Sequence, residues 1–145
     1  MKQLLLFLTL TSSVFASEFN LKPYSTSLDF AQVNHVTASQ KADGSWCLYT
    51  EVRHNDQGWE HYADGWEVLD LAGNQIDYRL LAHPHVNEQP FTRSKCGIQI
   101  PATISKVVIR AKCKKHGFGG KPVVVDLNLS KGEGFLIRKS NLIYP

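Results

Sequence analysis

The chain has 145 residues, which is enough for one domain with a modest hydrophobic core and short for two. Hydrophobic residues make up 43% and charged residues 20%, and the formal net charge is +3. This weak positive balance does not favour a nucleic-acid-binding protein, because such proteins gather many basic residues on one face.

The first sixteen residues predict a cleaved secretory signal peptide. Lys2 supplies a positive start, residues 4–10 form an apolar run, and residues 14–16 have the small-x-small pattern of a cleavage site. The apolar run is too short to span a bilayer as a mature helix. We therefore expect cleavage near Ala16 and one exported domain, periplasmic or secreted, over residues 17–145.

The remaining sequence indicates an all-β domain. β-Branched and aromatic residues recur in short runs between turn residues, and no segment keeps a helical period. The predicted strands cover residues 30–39, 46–54, 61–70, 76–82, 92–100, 106–113 and 123–129. A C-terminal extension begins near residue 130, and its apolar stretch could add an edge strand or a clamp. Seven short strands predict an immunoglobulin-like antiparallel β-sandwich, with a small barrel as the competing architecture.

The histidines are the most informative residues of the chain. In a seven-strand sandwich, the second, fourth and sixth connections lie at the same end. Five of the six histidines fall in or beside those three connections: His54 and His61, then His83 and His85, then His116. His35 lies in the first strand and is predicted to be structural. The fold therefore predicts five imidazoles around one end of the molecule.

Clustered imidazoles indicate a site for a divalent transition metal, copper or zinc. We predict that the ligands are His83, His85, His116 and one of His54 or His61. His83 and His85 are two residues apart, which in extended backbone sends both rings to one side. Met1 is the only methionine and leaves with the signal peptide, which disfavours a thioether-rich Cu(I) carrier and favours Cu(II) or Zn(II).

Three charged residues are predicted to support this site. Glu88 could add a carboxylate ligand or orient a ligand histidine. Arg93 could bind an anion, but we favour an ion pair with Glu88 that holds the fourth connection. Asp64 has the inward parity of its strand and needs a partner, for which Arg93 or a histidine is a candidate.

Aromatic residues at the same end suggest an alternative function. Trp59, Tyr62 and Phe118 could stack on a sugar or an aromatic ligand, although for Tyr62 and Phe118 we favour a role in closing the open end of the core. The alternative is a non-enzymatic module that binds an exported protein or glycan partner. We assign no catalytic residue, because no nucleophile motif such as G-x-S-x-G is present; a hydrolase that uses His and Glu ranks third.

Three cysteines in an exported chain predict one disulfide and one free thiol. Strand parity places Cys96 with Ile98, and Cys113 with Ile109, on faces that look inward. Both also lie at the histidine end. We therefore predict a Cys96–Cys113 disulfide, with Cys47 unpaired. If this bridge does not form, Cys113 becomes available as a thiolate ligand.

One run of residues carries a resemblance. The run His83-Pro84-His85-Val86-Asn87-Glu88-Gln89-Pro90-Phe91-Thr92-Arg93, with the glycine-rich segment 115–120 downstream, is similar to small exported bacterial proteins that carry no assigned activity. The resemblance covers about residues 46–125. It implies an exported, periplasmic setting and an immunoglobulin-like sandwich carrying an HPHxxEQPFTR-type motif, but it implies no activity.

Overall fold

A computed structural model describes residues 23–139 of the chain. The expected signal peptide lies outside the described residues. Within them the protein is all-β, and no helix is long and apolar enough to cross a membrane. The strands are β1 (Gln32–Gln40), β2 (Trp46–Arg53), β3 (Ala63–Leu69), β4 (Gln75–Leu80), β5 (Phe91–Ile98), β6 (Lys106–Cys113), β7 (Gly117–Phe118), β8 (Val123–Asp126), β9 (Lys131–Gly132) and β10 (Phe135–Arg138).

The strands form two sheets that enclose one core. The first sheet has the order β5-β2-β1-β10-β9, and the second has the order β4-β3-β6-β7, with β8 also paired to β6. Alternate residues of each strand point inward, as the period of two requires. Val36, Leu48 and Val52 of the first sheet are fully buried with Trp66 and Ile109 of the second. The all-β sandwich predicted from the sequence is confirmed.

The seven predicted strands correspond to β1–β6 and β8, and the remaining three strands are short. β4 pairs with β3 in the second sheet, whereas a constant-type immunoglobulin domain pairs its fourth strand with its fifth. In the C-terminal segment, β10 lies beside β1 in parallel, with Val36 opposite Phe135. This segment therefore extends the first sheet, and Phe135 is buried in the core.

The disulfide prediction is wrong. Cys47 of β2 is bonded to Cys96 of β5, and Cys113 is a free, buried thiol. Cys96 and Gly97 together face Cys47, because the register shifts by one residue between the Trp46–Ile98 and Leu48–Lys95 pairs. Gly97 takes the positive φ of 76° that such a β-bulge uses. The bulge turns Cys96 to the exposed side of β5. There it lies beside Cys47 of β2, the neighbouring strand in the same sheet.

The three connections that carry histidines contact one another at one end of the sandwich. Lys114 N donates to Tyr62 O, and His85 N donates to the Asp56 carboxylate. The lead-in segment 25–31 packs across the same end. There Ser25 N donates a hydrogen bond to Gly119 O, in the glycine-rich segment 115–120. A Cβ on Gly120 would clash with a backbone carbonyl oxygen of the lead-in, so this close approach of two backbones requires glycine. The lead-in is thereby fixed over the end of the sandwich.

Candidate metal centre

His54 is fixed by the residues that follow β2. Its side chain is buried, and its Nδ1 atom lies 2.6 Å from Oδ1 of Asp56, two residues further along the loop. An ionised carboxylate accepts hydrogen bonds only, so the imidazole proton is assigned to Nδ1. The unprotonated Nε2 of His54 then points away from Asp56, toward His61 and the lead-in segment.

His61 is fixed in the same way from the other end of the loop. Gln57 N donates to His61 O and His61 N donates to Gly58 O, which forms a tight turn just before β3. The His61 Nδ1 atom lies 3.1 Å from Oε1 of Gln57, an acceptor that assigns the proton to Nδ1. Its Nε2 therefore faces the Nε2 of His54, at a distance of 3.2 Å.

Cys113, the last residue of β6, brings a sulfur atom to the same place. It lies opposite Ala63 in the pairing of β6 with β3, and Ala63 follows His61 and Tyr62 in the chain. The Sγ atom of Cys113 lies 3.4 Å from the carbonyl oxygen of Asp29 and accepts a hydrogen bond from His116 N at 3.2 Å. The residue is 1% exposed.

His54, His61 and Cys113 could together hold a metal ion, and we call them the His–His–Cys cluster. One ligand atom from each lies within 4.8 Å of the other two, and all three residues are buried. The Asp29 carbonyl oxygen lies 3.2 Å from Nε2 of His54 and 3.3 Å from Nε2 of His61. Among residues 23–139, this cluster is the group of three or more histidine, cysteine, aspartate or glutamate side chains whose ligand atoms lie close enough together to hold a metal ion.

Asp56 is the charged centre behind the His–His–Cys cluster. Oδ1 accepts hydrogen bonds from His54 and from Ala63 N at 2.9 Å, and Oδ2 accepts one from His85 N at 2.7 Å. Burial raises the pKa of this carboxyl, but these hydrogen bonds outweigh burial and hold the pKa below its ordinary value. Asp56 is therefore an ionised carboxylate that joins two histidine-bearing loops.

His116 lies at the solvent side of the cluster. Its ring is 5.0 Å from the ring of His61, edge to face, and 5.4 Å from the ring of Phe30. The residue is exposed, whereas the three members of the cluster are buried. His116 therefore connects the cluster to the surface.

The structure does not bring His83 and His85 into the His–His–Cys cluster. His83 is exposed. His85 is buried and stacked on Phe91 at 3.8 Å, and Nη2 of Arg93 lies 2.9 Å from its Nε2. A guanidinium can only donate, so Nε2 of His85 is already used as an acceptor. Burial, followed by the charges of Arg93 and His83, lowers the pKa of His85 from its usual 6.5.

The three charged residues that were predicted to support the site, Glu88, Arg93 and Asp64, form ion pairs in two separate places. Arg93 forms an ion pair with Glu88 at 3.5 Å, in the loop before β5. The partner of Asp64 is neither Arg93 nor a histidine but Lys112, at 3.0 Å across the β3–β6 pair. That candidate pairing was wrong because Arg93 lies in the first sheet and Asp64 in the second.

The aromatic residues surround the same end. Trp59 is 62% exposed and meets Tyr62 edge to face at 5.8 Å. Phe118 is half-buried beneath the guanidinium of Arg110, at 4.2 Å from the ring centroid. Trp59 is therefore the aromatic side chain of the three that is most open to solvent.

Three contributors to the site were missed from the sequence: Asp56, Gln57 and the Asp29 carbonyl. The spacing His54-x-Asp56 was a usable signal, because a carboxylate two residues from a histidine can hold its outer nitrogen. No sequence signal could reveal Asp29, whose contribution is a backbone oxygen brought in by the lead-in segment.

The chain is similar to one curated protein of unassigned activity. It is 38% identical over 101 residues to a protein of Halomicrobium mukohataei described as "Putative lipoprotein". The alignment covers 68% of this chain and 49% of that protein, so the chain spans about half the length of the relative. No protein family and no solved structure matches the chain. These comparisons indicate no enzyme family.

Proposed function

We propose that the protein is an exported metal-binding protein that holds one divalent transition metal ion, copper or zinc, in the His–His–Cys cluster. The observation that carries this proposal is the convergence of two imidazole Nε2 atoms, 3.2 Å apart, beside a buried thiol. Metal–nitrogen bonds of about 2.0–2.1 Å in tetrahedral geometry put two ligand nitrogens about 3.3 Å apart. The spacing of the two Nε2 atoms therefore suits a shared ion.

The hydrogen bonds around the cluster support the same proposal. Asp56 and Gln57 hold the imidazole protons on the outer nitrogens, which leaves two Nε2 lone pairs facing each other. The Asp29 carbonyl adds a third acceptor within 3.3 Å. These three acceptors repel one another, and a cation placed between them removes this repulsion. Outer partners of this kind are typical of metal-bound histidines.

The charges also balance. A metal-bound Cys113 would be a thiolate, so that it and the Asp56 carboxylate would place two negative charges in a buried region, and a divalent ion would neutralise both. Buried charges are stable where they are paired or coordinate a metal.

An exported setting is supported by two observations. The Cys47–Cys96 disulfide is typical of oxidising compartments outside the cytosol. The description of the relative as a lipoprotein also fits an exported protein. A periplasmic or secreted location agrees with the signal peptide predicted from residues 1–16.

The test is to load the purified protein with Zn²⁺ and, separately, with Cu²⁺, remove weakly bound metal by dialysis, and measure the metal retained per chain. We expect one equivalent for the wild type and much less than one for His61→Gln and Cys113→Ser. His83→Ala is the matched control, because it removes an exposed histidine outside the cluster. Unfolding curves of the metal-free variants show whether each one is folded.

Two outcomes would overturn the proposal. One is retention of metal by the folded Cys113→Ser and His61→Gln variants at the level of the wild type. The other is the absence of retained metal in the wild type, in which case a proton shared between the two Nε2 atoms satisfies the histidine pair.

A further inference from the structure

We propose that the His–His–Cys cluster is a mononuclear copper centre that carries single electrons. This inference rests on the proposed function and names the metal and its use. The metal cycles between Cu(II) and Cu(I): an exported one-electron donor reduces Cu(II), and the electron then passes to a one-electron acceptor. No covalent bond forms or breaks, and Cys113 remains a thiolate ligand in both states.

The Asp29 carbonyl oxygen lies where it could serve as an axial ligand to a metal held by the cluster. Its oxygen is nearly equidistant from the three ligand atoms, at 3.2 Å from Nε2 of His54, 3.3 Å from Nε2 of His61 and 3.4 Å from Sγ of Cys113. An atom equidistant from three others lies on the axis through the middle of their triangle. Two nitrogens and one sulfur in a plane, with a weak backbone oxygen on the axis, are the ligand set of copper electron-transfer sites.

The geometry of the cluster is fixed by its surroundings. Both imidazoles are buried and held from behind by Asp56 and Gln57, and the sulfur lies at the end of a paired strand. A site whose ligands cannot rearrange keeps nearly the same geometry in both oxidation states of the metal. Fast electron transfer requires this, since little nuclear motion then accompanies the transfer.

The thiol of the cluster is protected from oxidation. A Cu(II) thiolate is lost when its sulfur is oxidised to a disulfide with another thiol. Cys113 is 1% exposed, and the other two cysteines are already bonded to each other. Sγ therefore has no free cysteine partner within this chain, and the residue presents little surface to another molecule. The Cu(II) thiolate can therefore persist.

His116 contacts both the sulfur atom of Cys113, through its backbone, and the ring of His61, through its side chain. Its backbone N donates a hydrogen bond to Sγ of Cys113 at 3.2 Å, and hydrogen bonding at the cysteine sulfur tunes the reduction potential of such a centre. The exposed ring of His116 touches the buried ring of His61, with 5.0 Å between centroids. This pair of rings gives electrons a short path between the solvent and the metal.

The experiment adds one equivalent of Cu²⁺ to the purified, metal-free protein and records visible absorption and electron paramagnetic resonance spectra. We expect an intense thiolate-to-copper charge-transfer band that saturates at one copper per chain. Ascorbate should abolish the band and ferricyanide should restore it over repeated cycles. Cys113→Ser should lack the band, whereas His83→Ala, which changes an exposed histidine outside the cluster, should retain it.

The outcomes separate this inference from the proposed function. If the wild type binds Zn²⁺ and Cu²⁺ in one equivalent through the cluster but shows no charge-transfer band, the electron-transfer inference is wrong and metal binding stands. The inference also fails if the band decays with loss of the free thiol in place of cycling. Binding of neither metal overturns both proposals, and a band that survives in Cys113→Ser excludes the cluster as its source.

Discussion

Two loops at the same end of the sandwich each carry a pair of histidines, but the ring nitrogens of the two pairs have different hydrogen-bond partners. In the loop between β2 and β3, His54 and His61 have acceptors at their outer nitrogens, and their two Nε2 atoms face each other at 3.2 Å. In the loop between β4 and β5, Nε2 of His85 accepts from Arg93, and His83 is exposed. The hydrogen-bond partners of the ring nitrogens therefore separate the candidate ligands His54 and His61, whose Nε2 atoms face each other, from His85, whose Nε2 accepts from Arg93.

The two loops are joined by Asp56, and replacing it should disturb both. Asp56→Asn removes the charge that accepts from His54, Ala63 N and His85 N, and the new amide group must face a donor. We expect the free energy of unfolding to fall by about 3 kcal/mol. Metal affinity should fall by about 10–100-fold, as is typical when an outer partner is lost.

Chemical denaturation and metal titration of the Asp56→Asn protein measure these effects. Asp43→Asn is a control, because Asp43 lies in an exposed turn and pairs with Ser45. An Asp56→Asn variant as stable as the wild type would contradict the role of Asp56 as the junction of the two loops.

A smaller change at Gln57 tests the first loop alone. Gln57→Ala removes the acceptor at the Nδ1 atom of His61 but leaves the backbone turn of residues 57–61. We expect metal affinity to fall by about 10-fold. The change in unfolding free energy should stay within about 1 kcal/mol, because one hydrogen bond of an exposed residue is lost. Isothermal titration with Zn²⁺ measures the affinity, and an unchanged value would mean that His61 needs no outer partner.

The second loop has its own signature in the dependence of stability on pH. The pKa of His85 is lowered from 6.5 in the folded protein, so the unfolded chain binds a proton that the folded chain resists. Stability from His85 is therefore present above about pH 6.5 and is lost as the pH falls toward the lowered folded-state pKa. Unfolding free energies measured across this window should fall less steeply for His85→Gln than for the wild type.

His35→Gln is the matched control for that pH series, because His35 lies in β1 and is not among the groups that lower the pKa of His85. Its profile should follow that of the wild type. Equal slopes for the wild type and His85→Gln would show that the neutral state of His85 is not linked to folding.

The smallest expected effect concerns Trp59, which belongs to the first loop but not to the cluster. Its side chain is 62% exposed, so Trp59→Ala should change the unfolding free energy by no more than about 0.5 kcal/mol. Metal content should be unchanged, which dialysis and metal analysis check. A loss of metal in this variant would place the aromatic surface in the metal site, whereas loss of binding to an exported protein or glycan alone would support the interaction module.

The loop end of the sandwich was predictable from the sequence, and the pairing of its residues was not. The strand pattern alone placed the histidine loops at one end, because strands alternate in direction. The sequence could not show that Arg93 donates a hydrogen bond to Nε2 of His85. That contact joins residues eight apart in the chain, across a loop with two prolines. It also favoured His83 and His85 as ligands on spacing, although His83 is exposed.

The cysteines show the same division between local pattern and tertiary structure. Parity predicted an inward Cys96, but the bulge at Gly97 turns that residue outward beside Cys47. The error changed the candidate site, because a Cys96–Cys113 bridge would have consumed the sulfur that now lies beside His54 and His61.

The sequence by itself determined the all-β fold and the end of the molecule where the chemistry lies, because residue periodicity and strand direction are local properties of the chain. Tertiary structure alone decided which ring nitrogens are unoccupied, which thiol is free and which backbone oxygen caps the cluster. Those features depend on contacts between segments as distant as Asp29 and Cys113. Distances of that kind are set by packing and by one bulge, and neither is encoded in residue spacing.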